Sequence, residues 1–331
     1  MAAKANDGSA EDRLIARYFK PLATDPGALG LSDDAAFLTP PPGCDLVLTT
    51  DALLSGVHFF PDDPADAVAR KALRVNLSDL AAKGARPLGF LLTVALPRDT
   101  GEAWLSAFAQ GLKADTEEYG CALFGGDTDR TPGPLSISVA MFGAVPQGTM
   151  MRRAGAKPGD RIFVTGTIGD AALAVRLRKE KCDWKLSAGA RDHLLGRYLL
   201  PQPRVALAET LRTYASAAMD ISDGLAGDLA KLCRVSGVRA EVDAAKIPLS
   251  DAAKSALAAD ATLIDTILAG GDDYEILCTI APDKMTGLRK AAAVANVALS
   301  EIGVVSAGEG ATFYGADQRP LQLSRLSYSH F

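Results

Sequence analysis

The sequence lacks most of the short motifs that identify an enzyme class directly. No GK dipeptide occurs, so a phosphate-binding loop of the Walker A kind is excluded. The G-x-G at Gly308-Glu309-Gly310 is followed by Ala-Thr-Phe and fails the dinucleotide-binding fingerprint. There is no G-x-S-x-G, and the three histidines, His58, His193 and His330, are too dispersed to predict a catalytic triad or a zinc site. Nucleophilic catalysis and zinc chemistry are therefore disfavoured.

Cysteine pairs, basic charge and long apolar segments are also scarce. The five cysteines form no CxxC pair, and we expect them to be buried, reduced thiols. A net charge of -5 and a pI of about 5.3 disfavour a nucleic-acid partner. The amino-terminal residues have no apolar segment typical of a signal peptide, and the longest apolar run, residues 87–97, is too short to span a bilayer. We therefore expect a cytoplasmic protein that binds neither nucleic acid nor membrane.

The chain has 331 residues, of which 48% are hydrophobic and 23% charged, which allows two domains with a large core. Strand and helix patterns alternate, and a Gly- and Pro-rich stretch at residues 146–160 interrupts them. Helices are predicted over residues 11–22, 64–83 and 102–119, and strands over 45–51, 89–97, 121–124 and 135–145, with the third strand ending at Gly125-Gly126. We predict an α/β (α+β) fold with mixed sheets covered by helices, divided into residues 1–147 and 148–331.

Aspartates recur at the ends of apolar runs, beside Gly, Ser or Thr. They are Asp33-Asp34, Asp51, Asp79, Asp127, Asp129, Asp220, Asp223 and Asp272-Asp273. One such Asp is usually a helix cap or a turn residue, so it is the recurrence that indicates a site. Carboxylates at strand ends face the crevice where α/β proteins bind ligands, and their oxygens suit Mg²⁺. We therefore predict an enzyme that handles a nucleotide through Mg²⁺ ions, with the Gly125-Gly126 backbone, Arg152 and Arg153 as further phosphate contacts.

In chain order the motifs read LSDDAAFL, LTTDALLSGVHF, RKALRVNLSDLAAKGARPLGFLLTVALP, LFGGDTDR, RAGAKPGDRIFVTGTIGDA, AAMDISDGLAGDL, GGDDYEIL and SYSHF. This series resembles the thiamine-monophosphate kinase family over nearly the whole chain, residues 11–331. Each motif is weak alone, but the full set in this order is specific. The resemblance implies a two-domain aminoimidazole-ribonucleotide-synthetase-like fold that dimerises through its N-terminal domain. It also implies transfer of the γ-phosphoryl group of ATP to thiamine monophosphate with several Mg²⁺ ions.

The resemblance implies three sets of site residues. The metal ligands it implies are Asp33, Thr49, Thr50, Asp51, Asp79, Asp127, Asp220 and Asp223. The ATP contacts it implies are Gly126, Asp127, Arg153 and Ser222, and the contacts to the thiamine substrate are His58, Asp272 and Tyr328. Because the acceptor is itself a phosphate, whose oxygen is already anionic near neutral pH, we expect no general base.

The chain departs from the family pattern at two motifs. Ser32-Asp33-Asp34 stands where the family usually has GDD, and Asp272 stands where it usually has Glu. The shorter Asp272 would contact the cationic thiazolium with a shifted geometry or through a water.

Three other readings of the chain stay open. They are another ATP-using enzyme of this fold, a non-catalytic nucleotide or metal sensor, and a Mg²⁺-dependent phosphatase. A sensor would not need the acceptor-side residues, and a phosphatase would not need ATP.

Overall fold

The protein is described by a computed structural model that covers residues 9–180, 182 and 184–327. The chain divides into two compact units. One contains residues 9–76 and 87–144, and the other contains residues 77–86 and 145–327.

The first unit is built on a four-stranded sheet. Its elements are α1 (Ala10–Leu14), β1 (Cys44–Leu54), α2 (Ala65–Ala82, of which residues 77–82 group with the second unit), β2 (Arg86–Pro97), α3 (Glu102–Tyr119), β3 (Ala122–Thr131) and β4 (Ser136–Pro146). The strand order is β1-β4-β2-β3. Helix α1 continues through a π-helical turn, Ile15–Phe19, and a 3-10 turn, Lys20–Leu22, so the predicted helix over residues 11–22 is helical but irregular.

Helix α3 shows how local signals set an element. It ends at Gly120, whose φ of 64° lies in the left-handed region that glycine adopts without strain, and whose N–H bonds the carbonyl oxygen of Thr116. The helix joins β2 to β3, which pair in parallel and therefore need such a crossover connection. Phe108 and Leu112 are fully buried on its inner face, and this helix has the predicted bounds.

Strand β3 continues past the two glycines, so the prediction that it ends at Gly125-Gly126 was wrong. Residues 125–131 pair in parallel with residues 91–97 of β2, after a register shift at Phe90/Leu91. A Cβ atom on Gly126 would lie 1.7 Å from the carbonyl oxygen of Leu92. Glycine therefore allows the strand to pass close to its neighbour here. Strand β1 likewise runs on to Leu54 and does not end at Asp51.

The second unit is built on a six-stranded sheet. Its elements are β5 (Arg161–Thr165), α4 (Asp170–Glu180), α5 (Ala188–Leu199), α6 (Ala208–Tyr214), β6 (Ala215–Asp220), α7 (Leu225–Ser236), β7 (Arg239–Asp243), α8 (Asp251–Ala259), α9 (Leu263–Ala269), β8 (Ile276–Ile280), α10 (Met285–Val294), β9 (Leu299–Ser306) and β10 (Gly310–Tyr314). The order is β10-β7-β9-β5-β8-β6. The β10–β7 pair is parallel, whereas β5 pairs antiparallel with β8 and β9. The predicted mixed sheets covered by helices are confirmed.

The segment Leu77–Arg86 groups with the second unit, although in the sequence it lies between the two parts of the first unit. Ala81 and Ala82 pack in one apolar cluster with Phe163, Leu211 and Ile276. Two hydrogen bonds reinforce this packing: Met151 N–H donates to the Lys83 carbonyl at 3.0 Å, and Lys83 Nζ donates to the Ala218 carbonyl at 3.2 Å. These hydrophobic contacts, and not its position in the sequence, therefore place the segment in the second unit.

All five cysteines are unpaired, but the expectation that they are buried holds for only three of them. Cys121, Cys233 and Cys278 are buried, whereas Cys44 and Cys182 are half-buried. Among the helices that the structure describes, none is both long enough and apolar enough to cross a bilayer.

Candidate active site

The first unit holds a cavity of about 690 Å³ between its amino-terminal segment and its sheet. Phe19, Phe37 and Phe142 supply aromatic walls, and the polar lining includes Asp33 and Asp127. Gly125 and Gly126 also line it, so the structure brings three predicted residues, Asp33, Gly126 and Asp127, to one cavity. Both aspartates are exposed, and each accepts a hydrogen bond from the N–H of the next residue, Asp34 or Thr128. A mostly apolar cavity with a few carboxylates is typical of a small-molecule site.

Thr49, Thr50 and Asp51 lie on β1, at the opposite edge of the sheet from Gly126 and Asp127 on β3. The predicted residues of the first unit therefore form two groups. Asp51 and Asp127 lie inside strands, which corrects the expectation that they follow strand ends.

His58 lies just after β1, and its ring orientation is set by the backbone. Leu54 N–H donates to His58 Nδ1 at 3.0 Å, so in the neutral ring the proton is on Nε2. The buried side chain of Lys71 donates from Nζ to the His58 carbonyl at 3.1 Å. The first hydrogen bond therefore orients the His58 ring, and the second holds its backbone.

In the second unit, Asp220 is the last residue of β6 and is almost fully buried. Ser78 Oγ donates to Asp220 Oδ2 at 2.8 Å. Burial, followed by repulsion from Asp79, raises the pKa of Asp220 to about 8. Burial lowers the pKa of Lys83, while Asp220 and Asp79 raise it and Arg153 lowers it. Asp79, Arg153 and Asp220 are therefore close enough to interact electrostatically around Lys83.

The loop from Ile221 to Gly224 carries Ser222 and Asp223 and leads into α7. Its backbone is held by Asp228, whose Oδ2 accepts the N–H groups of Ser222 and Asp223 at 3.0 Å each. Lys231 Nζ lies 2.5 Å from Asp223 Oδ2 and 2.8 Å from Asp228 Oδ1. Asp223, a predicted metal ligand, is therefore paired with a protein cation here.

Asp272 lies in the loop before β8, and its N–H donates to the Ser222 carbonyl at 2.9 Å. The structure thus places a predicted substrate contact beside a predicted ATP contact. Tyr328 lies outside the described residues.

Several residues that shape the site were not singled out from the sequence. Ser78 orients Asp220, Lys71 holds the His58 segment, and Asp228 with Lys231 holds the Ser222–Asp223 backbone. The spacing of Asp228 and Lys231, three residues apart on a helix, is a signal that could have identified this pair. Ser78 has no such signal, because its partner is 142 residues away.

The donor chemistry of Asp79 and Asp220 suits a hard divalent cation. Two carboxylates that repel one another, one of them buried, would be relieved by a positive ion. Within residues 9–180, 182 and 184–327, no three His, Cys, Asp or Glu side chains form a cluster that could hold a metal by themselves. Mg²⁺ usually takes only one or two carboxylates and completes its shell with water and phosphate oxygens, so a pair of carboxylates is a suitable partial site.

The fold and these acidic loops define the class of protein. A family model described as "AIR synthase related protein, N-terminal domain" matches residues 32–145. A second, "AIR synthase related protein, C-terminal domain", matches residues 157–315. The chain therefore has the two-domain architecture of the AIR synthase related proteins.

Closer relatives narrow this class to one family. A thiamine-monophosphate kinase of Caulobacter vibrioides is 44% identical over 322 residues, which cover 96% of this chain and 89% of the relative. The crystal structure of a thiamine-monophosphate kinase from Stenotrophomonas maltophilia is 40% identical with a TM-score of 0.80, covering 93% of this chain and 96% of that one. A structure described as AaThiL complexed with AMPPCP and TMP is 32% identical with a TM-score of 0.77, covering 90% and 91% of the two chains. The chain belongs to the thiamine-monophosphate kinase family.

Proposed function

We propose that this protein transfers the γ-phosphoryl group of ATP to the phosphate of thiamine monophosphate, giving thiamine diphosphate and ADP. The observation that carries the proposal is the similarity, over 90% of this chain, to the relative described with AMPPCP, an ATP analogue, and TMP. The acceptor-side residues His58 and Asp272 are present and oriented, which favours an enzyme over a nucleotide sensor.

On the nucleotide side, the residues we assign are Gly126, Asp127, Arg153 and Ser222. Gly126 and Asp127 line the cavity of the first unit, and the aromatic walls of that cavity suit an apolar part of a ligand. Arg153 supplies a positive charge for phosphate. The backbone N–H of Ser222 is already bonded to Asp228, so its hydroxyl is the group we assign to the ligand.

Mg²⁺ is the metal we propose for this reaction. The residues that would hold it are Asp33, Thr49, Thr50, Asp51, Asp79, Asp127, Asp220 and Asp223. When bound, Mg²⁺ neutralises charge on phosphate oxygens. The chain's own contribution is to hold these carboxylates in place, which Ser78 and Lys231 do for Asp220 and Asp223.

On the acceptor side, we assign His58, Asp272 and Tyr328 to thiamine monophosphate. His58 with its proton on Nε2 is a hydrogen-bond donor, which suits a phosphate or a ring nitrogen. The Asp272 carboxylate suits the cationic thiazolium. No residue is assigned as a general base, because a phosphate monoester oxygen needs no deprotonation to attack. Catalysis then consists of positioning and charge neutralisation.

The experiment is an omission series that measures ADP release and identifies products by mass. We expect thiamine diphosphate and equimolar ADP only when ATP, Mg²⁺ and thiamine monophosphate are all present. ADP release without the thiamine compound would instead indicate an ATPase. Phosphate release from thiamine monophosphate without ATP would indicate a phosphatase.

We further propose that the protein is a homodimer that associates through its first unit. Two leucines on one face of β1 are exposed there, Leu46 at 39% and Leu48 at 67%, and Leu46 also lines the cavity. Exposed apolar side chains grouped on strands are typical of an interface. Leu48→Asp should shift the sedimentation coefficient towards the monomer, whereas Val294→Asp, at a 90% exposed position on α10, should not. A wild-type protein that sediments as a monomer would contradict the dimer.

We also place the protein in the cytoplasm, where unpaired cysteines stay reduced. Fractionation of cells that express the full chain would test this location.

A further inference from the structure

The loop between α9 and β8 holds two residues in a conformation that is unfavourable for them. Asp272 and Tyr274 have φ angles of 75° and 50°, in the left-handed region that residues with a Cβ atom rarely adopt. Such a conformation persists only when the surrounding structure imposes it, and it often marks a functional loop. Asp272 is also the residue that we assign to the thiamine substrate. The contacts that impose this conformation therefore also position a residue that we assign to substrate binding.

Backbone hydrogen bonds connect this loop to the segment that follows β6. Tyr274 N–H donates to the Ile221 carbonyl at 2.8 Å, and Ile221 N–H donates to the Glu275 carbonyl at 2.8 Å. With the Asp272 N–H to Ser222 bond, these contacts pair the two segments residue by residue. A Cβ atom on Gly271 would lie 2.3 Å from the Ser222 carbonyl oxygen, so the approach depends on glycine.

A buried ionic cluster lies under the loop, and we call Arg197, Arg204 and Glu275 the carboxylate clamp. Glu275 is fully buried. Arg204 donates to both of its carboxylate oxygens, at 2.7 and 2.5 Å, and Arg197 donates to Oε1 at 2.7 Å. Thr165 Oγ1 donates to Oε2 at 2.5 Å. The Glu275 side chain is thus held from three directions.

The carboxylate clamp also contacts the loop at residues 270–275. Arg197 Nη2 approaches the Asp273 carbonyl at 3.4 Å. The buried carboxylate of Asp273 accepts the Gly169 N–H with both oxygens, at 2.9 Å each. Asp273 and Glu275 therefore face inwards, whereas Asp272 and Tyr274, which alternate with them, are half-exposed.

A buried ion cluster is a poor source of stability, because the cost of desolvation offsets most of the attraction, and apolar side chains often serve as well. Arginine does fix the orientation of a carboxylate, because its planar guanidinium forms two parallel hydrogen bonds with it. A cluster of this kind under a strained loop is suited to holding the loop in one geometry.

We propose that the carboxylate clamp positions Asp272 for the acceptor substrate and thereby sets the affinity for thiamine monophosphate. Arg197, Arg204 and Glu275 are positioning residues that act through the loop at residues 270–275. The proposal rests on the proposed function, since it concerns the same acceptor.

The test is Arg204→Lys, which keeps the positive charge beside Glu275 but removes the two-pronged hydrogen bond. We expect the KM for thiamine monophosphate to rise about tenfold, with kcat and the KM for ATP changed by less than about twofold. Calorimetry with the ATP analogue AMPPCP present should show a similar loss of affinity for thiamine monophosphate. This second readout requires no turnover.

The matched control is Arg74→Lys. Like Arg204, Arg74 donates from Nε and Nη2 to both oxygens of a fully buried carboxylate, here Asp115, but it lies in the first unit. We expect both variants to lose thermal stability and only Arg204→Lys to change the KM for thiamine monophosphate. If Arg204→Lys fails to fold, Arg197→Lys serves the same comparison, because it removes the contact to the Asp273 carbonyl.

An unchanged affinity for thiamine monophosphate in a folded clamp variant would overturn the positioning role. So would an equal rise in both KM values, because that is the result expected of general destabilisation. A wild-type protein that binds thiamine monophosphate but forms no thiamine diphosphate would contradict the proposed function alone, and the calorimetric comparison would still decide the clamp. Wild-type protein that does not bind thiamine monophosphate would overturn both.

Discussion

The two units hold their aspartates in opposite ways. In the second unit Asp220 and Asp228 are buried, and protein groups bond them: Ser78 bonds Asp220, and Lys231 bonds Asp228. In the first unit Asp33 and Asp127 are exposed, and each accepts a bond from the backbone of the next residue. The fold therefore fixes Asp220 and Asp228 through protein contacts, whereas Asp33 and Asp127 are open to solvent.

The largest expected effect is that of Asp220→Asn, at the buried end of this comparison. We expect kcat to fall about a thousandfold at saturating Mg²⁺, because loss of the proposed metal ligand would remove several kcal/mol of charge stabilisation. The matched control is Asp170→Asn, a fully buried aspartate of the same unit bonded by Thr167 and Ser250, which should keep kcat within about threefold. Near-normal turnover of Asp220→Asn would contradict the metal assignment.

A smaller effect is expected for Asp127→Asn at the exposed end. We expect kcat to fall about a hundredfold, with the thermal midpoint unchanged, because an exposed side chain contributes little to folding. Kinetics at several Mg²⁺ concentrations and a thermal melt measure both quantities. A marked change in the melt would show that Asp127 is held by the fold, and the contrast between the units would then fail.

Asp228→Asn tests whether the hydrogen bonds that hold the Ser222–Asp223 backbone contribute to the reaction with ATP. We expect kcat/KM for ATP to fall about tenfold and stability to fall by about 2 kcal/mol, because the Lys231 ion pair is lost and the Ser222 and Asp223 N–H groups are held more weakly. The control is Asp251→Asn, which breaks an exposed Asp–Lys pair of the same spacing on α8. Equal effects of the two substitutions would argue against a positioning role for Asp228.

The smallest effect expected is a pH dependence of stability in metal-free protein. The folded-state pKa of Asp220 is raised from 3.8 to about 8, so its contribution to stability is fully present below pH 3.8 and is lost as pH rises through about 8. Asp220→Asn should therefore gain thermal stability relative to wild type between pH 5 and pH 8. Asp127→Asn is the comparison from the first unit, and there we expect no such gain. Parallel melting curves for all three proteins would contradict this difference.

The elements that could be predicted are those in which local signals agree. Helix α3 has an apolar face and a terminal glycine, so residues 102–119 were predicted with the bounds observed. The end of strand β3 could not be predicted from local signals, because pairing with the neighbouring strand β2 extends it through Gly126. Strands β7 and β10 were not predicted, and each is a short strand of five residues with little pattern of its own.

The same division applies to the candidate site, where the roles of the residues stay predictions. Motifs in order indicated Asp220, Ser222 and Asp272, because each carries its signal in adjacent residues. The groups that hold them depend on contacts across the chain: Arg197 is 78 residues from Glu275, and Ser78 is 142 residues from Asp220. No local pattern encodes such pairs, so the sequence indicates candidate site residues but not the groups that orient them.

The most direct test of the central claim uses ATP labelled with ¹⁸O in the γ-phosphoryl group, together with Mg²⁺ and thiamine monophosphate. We expect the label to appear in thiamine diphosphate, with none released as inorganic phosphate, because the acceptor phosphate attacks ATP directly. Label recovered in inorganic phosphate, with thiamine monophosphate unchanged, would contradict a thiamine-phosphate kinase.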